Sequence, residues 1–204
     1  MNKQLMNVAG LTIDAGIIAG GLGSRLDGAD KGLLQWQGVE FARHIIKRLK
    51  PYTRKLIINC NRNSDQYWPL ADLVVSDGDG AFEGPLAGLK SLLLASDADY
   101  LLVSPCDTPA LPEDFAERML RCLEQNPGAT IAVDDGERLH PLHLLVPVSL
   151  AGSISQYLAS GERRMMKWLK QNNLVCCDFS DQPEGFLNVN SSEEFETLMQ
   201  RGRH

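Results

Sequence analysis

The sequence predicts an α/β domain built on a mostly parallel sheet with helices on both faces. Two observations carry this: short apolar runs alternate with longer segments whose apolar residues recur at helical spacing, and glycine, asparagine or aspartate stands at the end of each of the first four runs. The 204 residues suffice for one domain with a real core, and 44% hydrophobic and 23% charged residues are ordinary for a globular protein.

The elements follow in order. "IDAGIIAG" reads as the first strand, and "FARHIIKRLKPY" as a helix with Phe41, Ile45, Ile46 and Leu49 on one face. "KLIINC" and "ADLVVSD" are the second and third strands, a helix follows "GPLAG" from Leu86 to Ala95, and "DYLLVSPCD" is the fourth strand. "PEDFAERMLRCLEQN" opens with proline and acids, as a first helical turn does, and "PGATIAV" returns to strand. After about residue 134 the rhythm loosens: "LHPLHLLVP" is a strand, "SLAGSISQYLAS" and "RRMMKWLKQN" are helices, and "LVCCDF" is a short strand. "SSEEFETLMQRG" makes a final helix capped by Ser191 or Ser192 ahead of glutamates. With no repeat and no Pro/Ser-rich linker, one domain over residues 1–204 with a distinct C-terminal subregion is the economical reading.

Composition narrows the function. A formal net charge of −6 argues against general nucleic-acid or acidic-membrane binding, which need a positive field, so an anionic substrate must be held by local cations. The cysteines, Cys60, Cys106, Cys122, Cys176 and Cys177, form no CxxC pair, which suits reduced thiols in a cytoplasmic protein. No apolar run approaches the ~20 residues that span a bilayer, and the first twelve residues read as a short leader rather than a signal peptide.

In parallel α/β sheets ligands collect outside the carboxyl ends of the strands. After the first strand comes "GGLGSRLDGADKG", where glycines let phosphate oxygens approach backbone N–H groups and Arg25 and Lys31 supply charge. The spacing is neither GxxxxGK[ST] nor GxGxxG. After the fourth strand, "SPCDTP" fixes Asp107 between two prolines, a rigid carboxylate of the kind that holds Mg²⁺ beside phosphates; the competing use is as a helix cap, for which Asp114 is better placed. Asn59 and Asp77 occupy the ends of strands two and three, where they could equally be turn residues. His140 and His143, three apart on an apparent strand, should point to opposite faces, one into the core and one to the surface, and are no zinc pair. Arg163, Arg164 and Lys167 cluster at a helix start, as an anion site or as a solvated face, and Asn188 and Asn190 share a face if extended.

The combination "IIAGGLGSRLDGADKGLL", "NCNR", "EGPLAGL", "SPCDTP", "DGERLHP", "GERRMM" and "FLNVN", in order from Ile17 to Glu194, resembles the molybdenum cofactor guanylyltransferases, the MobA family of the nucleotidyltransferase superfamily. The resemblance implies a three-layer Rossmann-like nucleotidyltransferase fold, with about 13–110 as a GTP and Mg²⁺ half and about 130–201 as a molybdopterin half. It implies transfer of GMP from Mg-GTP to the terminal phosphate of Mo-molybdopterin, with pyrophosphate released. By position Ile18, Ala19 and Gly20 would line the nucleotide, Lys31 would meet its phosphates, Asn59 and Asp77 would hold the nucleoside, and Asp107 would bind both nucleotide and Mg²⁺. Arg25, Lys31 and Asp107 would be catalytic, and Arg163, Arg164, Asn188 and Asn190 would receive molybdopterin. Molybdenum-insertion proteins and molybdoenzyme chaperones would be further partners. Two alternatives stay open: a cytidylyltransferase acting on molybdopterin or a sugar phosphate, and a non-catalytic nucleotide-binding module. The "AGG" and "PCDTP" stretches resemble the guanine-selective branch.

Overall fold

The computed structural model describes residues 10–19, 29–78 and 84–201. Its strands and helices run β1 (Ile13–Ile18), β2 (Gln35–Trp36), β3 (Val39–Glu40), α1 (Phe41–Leu49), β4 (Leu56–Asn59), α2 (Ser64–Tyr67), β5 (Leu73–Val75), α3 (Pro85–Ala95), β6 (Tyr100–Pro105), α4 (Phe115–Gln125), β7 (Thr130–Asp134), β8 (Leu139–Pro147), α5 (Ala151–Ala159), α6 (Met165–Lys170), β9 (Leu174–Asp178) and α7 (Ser192–Arg201).

Seven strands form one sheet in the order β5-β4-β1-β6-β8-β7-β9. The strands β5, β4, β1 and β6 are mutually parallel, β8 runs antiparallel to both its neighbours, and β7 and β9 are parallel to each other. One sheet therefore carries both the N-terminal and the C-terminal segments.

Alternation along each central strand feeds two apolar layers, since successive side chains leave a strand on opposite faces. Ile13, Ala15 and Ile17 of β1 join Leu56, Ile58 and Leu102 against Ala42, Ile45 and Leu49 of α1 and Phe115, Met119 and Leu123 of α4. On the other face Ile57, Leu101 and Val103 meet Leu86, Leu89 and Leu93 of α3, Ile154 of α5 and Trp168 and Leu169 of α6. Each fully buried aliphatic side chain stabilises such a layer by about 1.5–3 kcal/mol. No helix of the described residues is long and apolar enough to cross a membrane.

Three local departures from the sequence reading have physical causes. The two-residue ribbon β2–β3 closes through Gln37 and Gly38, both at positive φ (53° and 76°), and is too short to show a period. Helix α4 begins at Phe115, because Pro112 and Glu113 belong to the preceding turn, in which the Phe115 N–H donates to Pro112 O at 3.2 Å. The histidine pair does not split between faces: His140 and His143 are both buried, with ring centroids 5.7 Å apart. Ala132 pairs with Leu144, yet the next residue, Val133, pairs with His140, so Pro141–His143 are inserted opposite no β7 residue. That bulge breaks the alternation on which the expectation rested. The expected cap of α7 falls on Ser191: its hydroxyl accepts the Glu194 N–H at 3.2 Å, while Glu194 Oε2 accepts the Ser191 N–H at 2.9 Å.

Candidate functional site

The carboxyl ends of β1, β4 and β6 lie in register, Ile18 opposite both Asn59 and Pro105. The chain leaves each strand there, and backbone bonds continue the ladder one residue further: Ala19 N–H to Asn59 O (2.8 Å) and Cys106 N–H to Ile18 O (3.0 Å). Beyond this edge opens a cavity of ≈ 230 Å³, lined among others by Ile18, Ala19, Lys31, Asn59, Asp77 and Asp107. Six residues singled out from sequence thus come together. Gly20 and Arg25 lie outside the described residues.

Asp107 sits in the turn after β6, its backbone carbonyl accepting the Val189 N–H at 2.8 Å. Lys31 Nζ reaches Asp107 Oδ2 at 3.4 Å and also donates to Asn190 Oδ1, and both charged side chains are largely buried. The second Asp107 oxygen, Oδ1, is buried with no hydrogen-bond partner among the described residues. Burial pushes the Asp107 carboxyl above its ordinary range, and the Lys31 ammonium pulls it back. A buried carboxylate oxygen left unbonded costs about 1–3 kcal/mol or more, so the place suits a ligand or cation that completes it.

Asn59 and Asp77 form a second built corner. Asn59 Nδ2 donates to Asp77 Oδ1 at 2.8 Å and Asn61 Nδ2 to Asp77 Oδ2 at 2.7 Å, while the Asp77 N–H donates to Asn61 Oδ1 at 3.0 Å. Asn59 is fully buried, and its Oδ1 is a second orphaned acceptor. A Cβ on Gly88 would stand 2.6 Å from that atom, so the α3 glycine is what lets helix and amide approach.

What positions Lys31 was not foreseen in the sequence reading. Asp30 caps the single turn Lys31–Leu33, its Oδ1 accepting the Gly32 N–H (3.2 Å) and the Tyr67 hydroxyl (2.6 Å), its Oδ2 the Asn63 amide (3.0 Å). A Cβ on Gly32 would come 2.3 Å from the Tyr67 hydroxyl, so glycine is required at this contact. The partners lie more than thirty residues away along the chain, beyond the reach of local pattern; only the adjacency of Asp30 to Lys31 hinted at them.

The C-terminal candidates divide. Asn190 joins the Lys31–Asp107 group directly, and with Asn188 it lines a neighbouring cavity. Arg163 donates to the carbonyls of Leu158 (2.8 Å) and Glu162 (2.9 Å), and Arg164 lies 3.6 Å from Glu162 with its side chain 75% exposed. Pro147 at the end of β8 pairs with Tyr100 at the start of β6, and α5, which follows, packs on α3. Among the described residues, no three His, Cys, Asp or Glu side chains are grouped to hold a metal ion.

Comparison with known proteins follows this geometry. The MobA-like NTP transferase domain matches residues 15–175. A molybdenum cofactor guanylyltransferase of Shewanella loihica is 41% identical over 94% of this chain and 98% of its own length, and one of Shewanella sediminis is 43% identical over 92% and 96%. The crystal structure of molybdopterin-guanine dinucleotide biosynthesis protein A from Archaeoglobus fulgidus superposes with a TM-score of 0.74 at 18% identity, covering 92% of this chain and 97% of that one, a likeness of fold.

Proposed function

Because the chain belongs to the MobA-like NTP transferase family, we propose that it transfers GMP from GTP to the terminal phosphate of Mo-molybdopterin, giving the guanine dinucleotide and pyrophosphate. The observation that carries the reading is the pair of orphaned buried acceptors, Asp107 Oδ1 and Asn59 Oδ1, in residues that line one cavity with the Lys31 cation.

The residues present fit Mg²⁺. This cation keeps several waters and needs only one or two protein carboxylates together with phosphate oxygens, so Asp107 would suffice where the described residues hold no three-residue cluster. When bound it would neutralise phosphate charge. Lys31, held by Asp30 and steadied by Asn190, would place its ammonium against the nucleotide phosphates. Asn59, its amide N–H₂ committed to Asp77, would offer Oδ1 to an N–H or O–H of the nucleoside. Ile18 and Ala19 would form the floor, with Gly20 continuing it, and Arg25 would answer charge developing at the α-phosphate.

No protein nucleophile is needed, because the attacking phosphate is already anionic at neutral pH. The protein's work is to hold the two phosphates in line and to compensate their charge. Asn188, Asn190, Arg163 and Arg164 would take the molybdopterin side, so that the N-terminal half serves GTP and the C-terminal half the acceptor. Proteins that insert molybdenum or receive the finished cofactor would be partners in the cytoplasm.

The test is a panel of GTP, CTP and ATP with Mg²⁺ and Mo-molybdopterin, analysed for dinucleotide. Guanine dinucleotide from GTP alone is expected. Preference for CTP would replace the reading with a cytidylyltransferase, and nucleotide binding without product would replace it with a binding module.

A further inference from the structure

His143 is a polar side chain placed where packing asks for an apolar one. It lies on β8 within the layer that holds Phe115 of α4, Leu145 and Phe186, and it is 1% exposed. Its ring meets Phe115, Phe186 and His140 edge-on, with centroids 6.0, 5.2 and 5.7 Å away and interplanar angles of 81°, 86° and 83°. Burial, together with the neighbouring His140, lowers its pKa to about 3, so the imidazole is neutral at neutral pH. Burying such a ring costs free energy unless it is hydrogen-bonded.

The bond it makes reaches the reaction edge. His143 Nε2 and the Thr108 hydroxyl share a hydrogen bond of 2.9 Å across 35 residues of sequence. Thr108 follows Asp107 directly and is fully buried; its hydroxyl also lies 3.5 Å from Pro105 O, and its carbonyl accepts the Leu111 N–H at 3.2 Å. The Asp107 carbonyl accepts the Val189 N–H at 2.8 Å. The turn that presents Asp107 is thus pinned from β8 through one side chain and from the segment before α7 through one backbone bond. The carboxylate itself has little else to fix it: its one hydrogen bond to another described residue is the 3.4 Å contact from Lys31.

We propose that His143 is a positioning residue for Asp107, acting through Thr108 to fix the direction in which the carboxylate faces the nucleotide edge. The role rests on the function proposed above and needs no contact between His143 and either substrate. A carboxylate that must meet a cation and phosphate oxygens at set distances works only if its backbone is held, because a misplacement of about 1 Å can cost on the order of 10²-fold in rate. An apolar residue at 143 would fill the same layer without this bond. Packing and positioning are therefore separable: replacing both bonded partners by apolar groups of similar shape leaves stability nearly unchanged, whereas removing one strands the other, and neither replacement restores the hold on the turn.

The experiment measures the melting temperature, and GTP affinity by calorimetry with and without Mg²⁺, for the wild type, Thr108→Ser, Thr108→Val, His143→Leu and the double variant Thr108→Val with His143→Leu. Thr108→Val and His143→Leu should each lower the melting temperature and cut the tightening of GTP binding by Mg²⁺ roughly fivefold, less than the roughly 10–100-fold typical when a direct partner of a metal ligand is lost. GTP affinity without Mg²⁺ should stay within about twofold, and Thr108→Ser, which keeps the hydroxyl, should keep the wild-type response. The double variant should regain the wild-type melting temperature and still lack the Mg²⁺ response, no worse than either single change, so a folding defect in one single variant leaves the question decidable. Wild-type tightening by Mg²⁺ in Thr108→Val, or its recovery along with stability in the double variant, overturns the positioning role and leaves His143 a packing residue. A wild type that binds no GTP would instead overturn the function proposed above, and this role with it.

Discussion

Asp30 is buried and Asp107 largely so, both lie within one turn of chain or one ion pair of Lys31, and they differ in how their oxygens are used. Asp30 is saturated: a backbone N–H, a tyrosine hydroxyl and an asparagine amide occupy both of its oxygens. Asp107 keeps one oxygen without a hydrogen bond among the described residues. A saturated buried carboxylate stabilises a shape, whereas an unsaturated one keeps a capacity that something else must use. On that contrast we propose Asp30 as scaffold for the Lys31 ammonium and Asp107 as the group that meets a ligand, and substitutions should separate the two.

The largest effect is expected for Asp107→Asn. The amide keeps the shape and loses the charge, so turnover should fall on the order of 10³-fold or more in steady-state assays while the melting temperature holds or rises, relieved of a buried charge. Lys31→Ala should cost on the order of 10²-fold in kcat/KM for GTP, as removal of one preorganised electrostatic donor does.

Tyr67→Phe asks about the scaffold side. It removes the hydroxyl from Asp30 Oδ1, and urea unfolding should show a loss of about 1–2 kcal/mol; kcat should fall only several-fold, since Asp30 still caps the Lys31–Leu33 turn by accepting the Gly32 N–H. A loss as large as that of Lys31→Ala would mean that Asp30 belongs with the chemistry.

Acid stability sharpens the comparison at a third carboxylate. Burial opposes ionisation of Asp135, but the hydrogen bonds from His140 and from the Arg138 and Glu137 N–H groups hold it down at about 2. A depressed folded pKa contributes stability that is full above the unfolded value of about 3.9 and is lost as pH falls through about 2. Urea midpoints of the wild type and Asp135→Asn should therefore differ by a constant above pH ~4 and converge below it. The smallest effect belongs to Arg163→Ala with Arg164→Ala: no more than about threefold in molybdopterin KM, with stability within ~0.5 kcal/mol as for exposed substitutions.

How legible all this was in the sequence depended on the range of the interactions. Apolar runs ending in Asn59, Asp77 or at the "SPCDTP" turn announce both strand and edge, because a continuous apolar run and a chain reversal are local signals, and the structure gathers those residues around one cavity. The β2–β3 ribbon and α2 were too short for periodicity. The Asp30–Tyr67 bond spans 37 residues and leaves no local pattern. The histidine pair misled because alternation assumes an unbroken ladder, and the inserted Pro141–His143 residues break it. Along the sequence Asn190 lies 159 residues from Lys31, yet its Oδ1 accepts from the Lys31 ammonium.

Calorimetry of GTP binding with and without Mg²⁺, in the wild type and Asp107→Asn, decides whether the Asp107 oxygen left unbonded among the described residues serves Mg²⁺ with GTP, as we propose. Mg²⁺ should tighten GTP binding to the wild type by at least tenfold and leave the affinity of the variant unchanged. Equal tightening in both proteins would contradict the claim and move the cation elsewhere.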